Sequence, residues 1–109
     1  MKILLDGNLP RKLKFRFSEE HQIFTVGEKG WNGKKNGELL GLMTIDGFDA
    51  FVTIDKNLQY QQNLLRFPIK IFILDAPNNK IETLLPFVEN LKISLSEPSK
   101  IQVQIVIVS

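Results

Sequence analysis

Twice in this chain an apolar run ends on an aspartate and gives way at once to polar, turn-forming residues. That repetition restricts the accessible folds more than any other feature. Ile3-Leu4-Leu5 leads into Asp6, followed by Gly7, Asn8 and Pro10; Ala50-Phe51-Val52-Thr53-Ile54 leads into Asp55, followed by Lys56 and Asn57. Continuous apolar runs of this length fit strands buried on both faces, as in parallel sheets. Gly7 and Asn8 favour a turn and Pro10 suits a first helical position, so residues 11–17 are expected to form a helix. The unit is a strand, a sharp turn and a helix, with one carboxylate at the strand's carboxyl end. In open parallel sheets that end is where ligands bind, wherever neighbouring strands leave a crevice.

The rest of the chain continues the alternation. Residues 21–26, rich in β-branched and aromatic side chains, are expected to form a second strand, stopped by Gly27. Residues 27–35 contain three glycines and Asn32 and should form a loop, with Trp31 as its hydrophobic plug or, if exposed, as a base-stacking platform. Asn36 is the expected amino-terminal cap of a helix over 36–43 that turns Leu39, Leu40 and Met43 inward. After the third strand, residues 56–65 are expected to form a short helix with an amide-rich face. A fourth strand follows over 69–74, then a helix over 80–95 divided or kinked by Pro86. Residues 101–105 alternate as a half-exposed strand does, and Val106-Ile107-Val108 adds an apolar end. An uncovered strand of that kind invites pairing, so a homodimer contact through it is expected.

Strands alternating with helices predict an α/β fold, a three-layer α/β/α sandwich with a mainly parallel sheet. The expected strand order is 2-1-3-4 with the fifth strand at an edge, in either orientation. This order sets the first and third strands side by side at the topological switch point, so that Asp6 and Asp55 open into one crevice. Glu38 joins them only if its helix starts above the carboxyl edge of the sheet. At 109 residues the chain suits a single domain, residues 1–109.

Composition narrows the chemistry. There are no cysteines, which removes disulfides and thiolate metal sites and fits a reducing compartment. No segment is long and apolar enough to cross a bilayer, and Asp6 interrupts the opening apolar run where a signal peptide would continue, so a cytoplasmic protein is expected. With 14 basic and 12 acidic residues the net charge is only +2, too small to imply nucleic acid by itself. Its distribution is more telling: Lys2, Arg11, Lys12, Lys14 and Arg16 form one basic group and Lys29, Lys34 and Lys35 another, flanking the carboxylates as phosphate contacts would. As solvated faces they would serve solubility alone.

Three carboxylates sharing a crevice repel one another unless a cation or protons lie between them. Oxygen ligands without His or Cys select hard ions such as Mg²⁺ or Mn²⁺, which bind phosphate oxygens and can activate water for attack on a phosphodiester. The single His21 sits at a strand start, leaving no candidates for histidine-based catalysis, and no phosphate-cradling glycine loop is present. Each acid also has a purely structural role available, Asp6 and Asp55 as caps of the helices after them and Glu38 as a favourable charge in a first helical turn.

Three blocks, in order, resemble a bacterial PIN-like family of unknown function. They are Leu4-Leu5-Asp6-Gly7-Asn8-Leu9-Pro10, then Gly30-Trp31 with Lys35-Asn36-Gly37-Glu38-Leu39-Leu40, then the run from Phe48 through Asp55-Lys56-Asn57-Leu58-Gln59-Tyr60-Gln61-Gln62-Asn63-Leu64. That family is similar to the PIN-domain ribonucleases that act as toxins in toxin-antitoxin pairs. The resemblance implies a Mg²⁺- or Mn²⁺-dependent endoribonuclease acting on RNA, with an antitoxin protein as a partner. By position it assigns Asp6, Glu38 and Asp55 as catalytic residues and metal ligands. Gly7 stands where an acidic residue is expected, and Asn36 and Asn57 occupy positions often aspartate in the wider family. Each change removes charge, so one weakly held ion is expected rather than two, with feeble or no catalysis. Asn8, Asn36 and Asn57 would orient the ion's waters or the phosphate, and Lys12, Lys34, Lys35 and Lys56 would contact the RNA backbone. The rival expectations are a catalytically silent binding module that keeps the fold and a flavodoxin-like domain that takes a small phosphorylated ligand in the same crevice.

Overall fold

In the first strand Ile3 and Leu5 point to one face of the sheet and Leu4 to the other, and all three are shut off from solvent. A strand apolar on both faces needs a cover on both sides, and the computed structural model, which describes residues 1–108, supplies two. Five strands form one sheet: β1 (Lys2–Leu5), β2 (Gln22–Thr25), β3 (Ala50–Thr53), β4 (Lys70–Leu74) and β5 (Val103–Val106). Their order is β2-β1-β3-β4-β5, and every neighbouring pair is parallel. The order expected from the sequence is therefore the order found, and β5, whose orientation the sequence left open, is a parallel edge strand.

One face of the sheet, presenting Ile3, Leu5, Val52, Phe72 and Leu74, is covered by helix α2 (Ile81–Ser96) and by Leu9 and Leu13 at the start of the chain. Leu84, Phe87, Val88, Leu91 and Leu95 form the inner stripe of α2, and burying each contributes roughly 2 kcal/mol of transfer free energy. The opposite face, with Leu4, Phe51, Ile71 and Ile73, is covered by helix α1 (Asn36–Ile45) and by Leu58 and Leu64 from the segment between β3 and β4. Three layers result. Among the described residues no helix is long and apolar enough to cross a membrane.

Several local expectations need correction. Residues 11–17 do not form an α-helix; Arg11–Arg16 is a 3-10 segment in which only Leu13 is buried. Its other side chains include four cations, so too little apolar surface is available to support a longer helix. Residues 56–65 divide likewise into 3-10 segments Lys56–Tyr60 and Gln62–Arg66, hinged at Gln61. Asn36 is the first residue of α1 rather than its cap; Lys35 occupies the cap position, and its ammonium cannot accept a backbone hydrogen bond. Pro86 does not divide α2, which runs unbroken through it. In the 27–35 loop, Gly30 and Gly33 adopt positive φ angles of 71° and 81°, conformations costly for a side chain, and Trp31 plugs the loop against Phe48 with ring centroids 5.9 Å apart.

Candidate functional site

Because every strand is parallel, the residues that follow them collect along one edge of the sheet, and β1 and β3 are neighbours there. Asp6 follows β1 and Asp55 follows β3 by two residues. Thr53, the last residue of β3, joins them. Its fully buried hydroxyl donates to Asp6 Oδ2 at 2.6 Å and accepts the Asp55 N–H at 3.0 Å. The second oxygen of Asp6, Oδ1, accepts the Gly7 N–H at 2.7 Å. Asp55 Oδ1 accepts the Asn57 N–H at 3.0 Å and so caps the 3-10 segment that begins at Lys56. The capping role the sequence offered for Asp55 is real, while Asp6 turns its carboxylate toward β3 instead.

Electrostatically the pair is under-compensated. Burial raises the pKa of Asp6 above the ordinary carboxylate range, and the Asp55 charge adds to the rise. The Thr53 and Gly7 hydrogen bonds oppose it without cancelling it. Among the described residues no Lys, Arg or His forms an ion pair with Asp6 or Asp55. A third acid at the same edge, Asp75 after β4, is already neutralised by Lys56 Nζ at 3.0 Å. Beside Asp6 a cavity of about 370 Å³ opens on the β2 side, lined by Asp6, Gly7, Arg11, Thr25, Gly27 and Asn32; Asp55 does not line it, so the single crevice expected to receive both aspartates is not formed by this cavity.

Glu38 does not complete a trio. The described residues contain no group of three His, Cys, Asp or Glu side chains able to share a metal ion. Glu38 is exposed in the first turn of α1, 3.7 Å from Lys34, and lines a different cavity, of about 660 Å³, together with Lys34, Lys35, Asn36 and Arg66. Asn36 therefore belongs with Glu38 rather than with the aspartates. Asn57 reaches Asp55 through its backbone, and Asn8 is exposed, its carbonyl accepting from Asn79 Nδ2 at 3.1 Å. Of the cations expected to meet RNA, Lys12 is exposed on the first 3-10 segment, Lys34 and Lys35 line the larger cavity, and Lys56 is tied to Asp75.

The two basic groups read from the sequence are partly absorbed by internal pairing. Lys14 grips both oxygens of Glu28 at 2.8 Å. Lys2 and Lys29 converge on Asp46 Oδ2 at 3.5 and 2.6 Å and lie over the rings of Phe24 and Phe48. Those contacts hold Asp46 below the usual carboxylate range, Lys29 foremost, and they fasten the 27–35 loop to the end of α1. Thr53 and Arg66 were missed in the sequence reading. Thr53 was signalled only as the one hydroxyl in an otherwise apolar strand, and Arg66 had no signal.

The donor set can be tested against a divalent ion. Asp6 and Asp55 keep unused oxygen lone pairs, form no ion pair among the described residues although Arg11 lines the cavity beside Asp6, and stand close enough for one charge to perturb the other. One or two carboxylates, with water completing the sphere, is the usual protein contribution to a Mg²⁺ site, so a single hard ion fits and a two-metal site does not. Compared with protein-family models, curated proteins and solved structures, the chain matches none of them.

Proposed function

We propose that the crevice at the carboxyl ends of β1 and β3 is a single-ion Mg²⁺ or Mn²⁺ site and that the protein is a PIN-like ribonuclease built on it. The observation that carries this is Asp6: a partly buried carboxylate, held by Thr53 and Gly7, beside a second carboxylate and with no ion-pair partner. Such an arrangement is costly for the empty protein and is relieved by a cation. A divalent ion bound there would hold a phosphate oxygen and supply an activated water for attack on a phosphodiester. The chain's own part is orientation. Thr53 fixes Asp6, Asn57 fixes Asp55, and the shared hydroxyl of Thr53 sets the spacing between them. Glu38 is left out of the ligand set.

A catalytically silent module is the second reading, favoured by the same count of carboxylates: two ligands hold an ion weakly, and no histidine or lysine lines the cavity beside Asp6 to move a proton. Cleavage of generic single-stranded RNA in Mn²⁺ separates the two. The nuclease reading expects cleavage by the native protein and at least a tenfold loss in Asp6→Asn, on the order of other single catalytic-group deletions. No cleavage by either protein favours the silent module, and equal cleavage by both counts against an enzyme built on Asp6.

A further inference from the structure

On the α1 side of the sheet the segment from Gln61 to Arg66 runs between two cavities. The larger, about 660 Å³, is lined by Lys34, Lys35, Gln61, Asn63 and Arg66; the smaller, about 380 Å³, by Arg66, Phe67, Lys100 and Ile101 among others. Arg66 lines both, so the two depressions share a wall. The only carboxylate in either lining is Glu38, which Lys34 engages at 3.7 Å. Lys35, Arg66 and Lys100 form no ion pair among the described residues. The polar lining is different at the two ends. The larger cavity offers amides and ammonium groups; the smaller offers the Phe67 ring, with the Arg66 guanidinium 5.0 Å from its centroid, and Ile101, which is 62% exposed.

A polyanion would satisfy the unpaired cations, and flat apolar groups would cover Ile101 and the part of half-buried Phe67 that its packing against the core under α1 leaves open. Single-stranded nucleic acid carries both, a charged backbone and stackable bases, whereas inorganic phosphate or an acidic peptide carries only the first. The geometry points to a single-stranded RNA track that runs along Gln61–Arg66 from the larger cavity to the smaller, with Arg66 as its central contact and bases resting on Phe67 and Ile101. The track starts one 3-10 segment after Asp55, so it leads away from the crevice. It rests on the nuclease reading only for the choice of RNA as the natural ligand.

Binding is measured by fluorescence anisotropy with a labelled single-stranded RNA of about twelve nucleotides, in EDTA, so that neither metal nor cleavage enters. The variant Lys35→Gln/Arg66→Gln is expected to bind at least fivefold more weakly, with the salt slope reduced by roughly 0.7 for each cation removed. A control with the same loss of charge, Lys80→Gln/Lys92→Gln, changes cations outside both cavity linings and is expected to bind like the native protein. Phe67→Leu keeps every charge and is expected to weaken binding without changing the salt slope. Circular dichroism melts of each variant identify any that fail to fold, and the singly changed Arg66→Gln, altered at an exposed residue, then carries the test. Equal weakening in track and control variants overturns the track, as does the absence of RNA binding by the native protein. Polyglutamate that competes as well as RNA overturns it too. RNA binding that follows the track while cleavage is absent sinks the nuclease reading alone; cleavage indifferent to Arg66 and Lys35 sinks the track alone.

Discussion

Thr53 does more than any other single side chain to define the crevice. Its hydroxyl is fully buried and is used twice, donating to Asp6 and accepting from the Asp55 backbone. Thr53→Val preserves the shape and removes both bonds, so it is expected to destabilise the fold by about 1–3 kcal/mol, read as a shift of the urea midpoint at constant slope. Of the perturbed acids, Asp6 and Glu28 give opposite pH signatures. Asp6 has a raised pKa, so its unfavourable contribution is fully present above that raised value and disappears below the ordinary carboxylate range. Glu28 is lowered, first by Lys14, so its favourable contribution is present above the ordinary range and is lost as pH falls through the lowered value. Thermal melts from about pH 7 to about pH 3 should therefore show the native protein gaining on Asp6→Asn and, in the acid part of the range, losing its advantage over Glu28→Gln. Parallel trends in the two variants would contradict the assignment. The effect at exposed Glu28 is expected to be the smaller, since water screens it.

At the scale of elements, α2 carries a proline at an exposed position six residues into an otherwise regular helix, where the Glu82 carbonyl goes without its intrahelical donor. Pro86→Ala restores that bond and is expected to raise stability by about 1–2 kcal/mol, less than the full cost of an interior proline because the variant's unfolded chain is also freer. A lower melting temperature would show that the helix depends on the proline. The same helix shows what the sequence could and could not convey. Its apolar spacing over residues 80–95 announced the helix within a residue at either end, because burial of a stripe follows the 3.6-residue period directly. The strand order was legible too, since the doubly apolar runs demand two-sided cover. Residues 11–17 and 56–65 were misread because short segments settle between 3-10 and α geometry through packing, which no local pattern records. For the site, Asp6 and Asp55 were legible as strand-terminal carboxylates. The distance of Glu38 from them was not, because it depends on where α1 sits above the sheet.

The whole molecule is an all-parallel five-stranded sheet between two helical covers, with three aspartates following strands along one edge and only one of them, Asp75, paired. The unmatched charge sits at the carboxyl ends of the neighbouring strands β1 and β3, and the cavity beside Asp6 opens on the β2 side of it. Lys35 and Arg66 lie apart from it, along the α1 side. The proposed metal-assisted nuclease would use this division, its ion at the acids of the edge and its RNA on the cations of one flank. Calorimetric titration of Mn²⁺ into the native protein and into Asp6→Asn tests the cation site most directly. One saturable site at millimolar ion in the native protein, lost in the variant, is the expected result; no binding heat in the native protein, or equal binding by both, would contradict it.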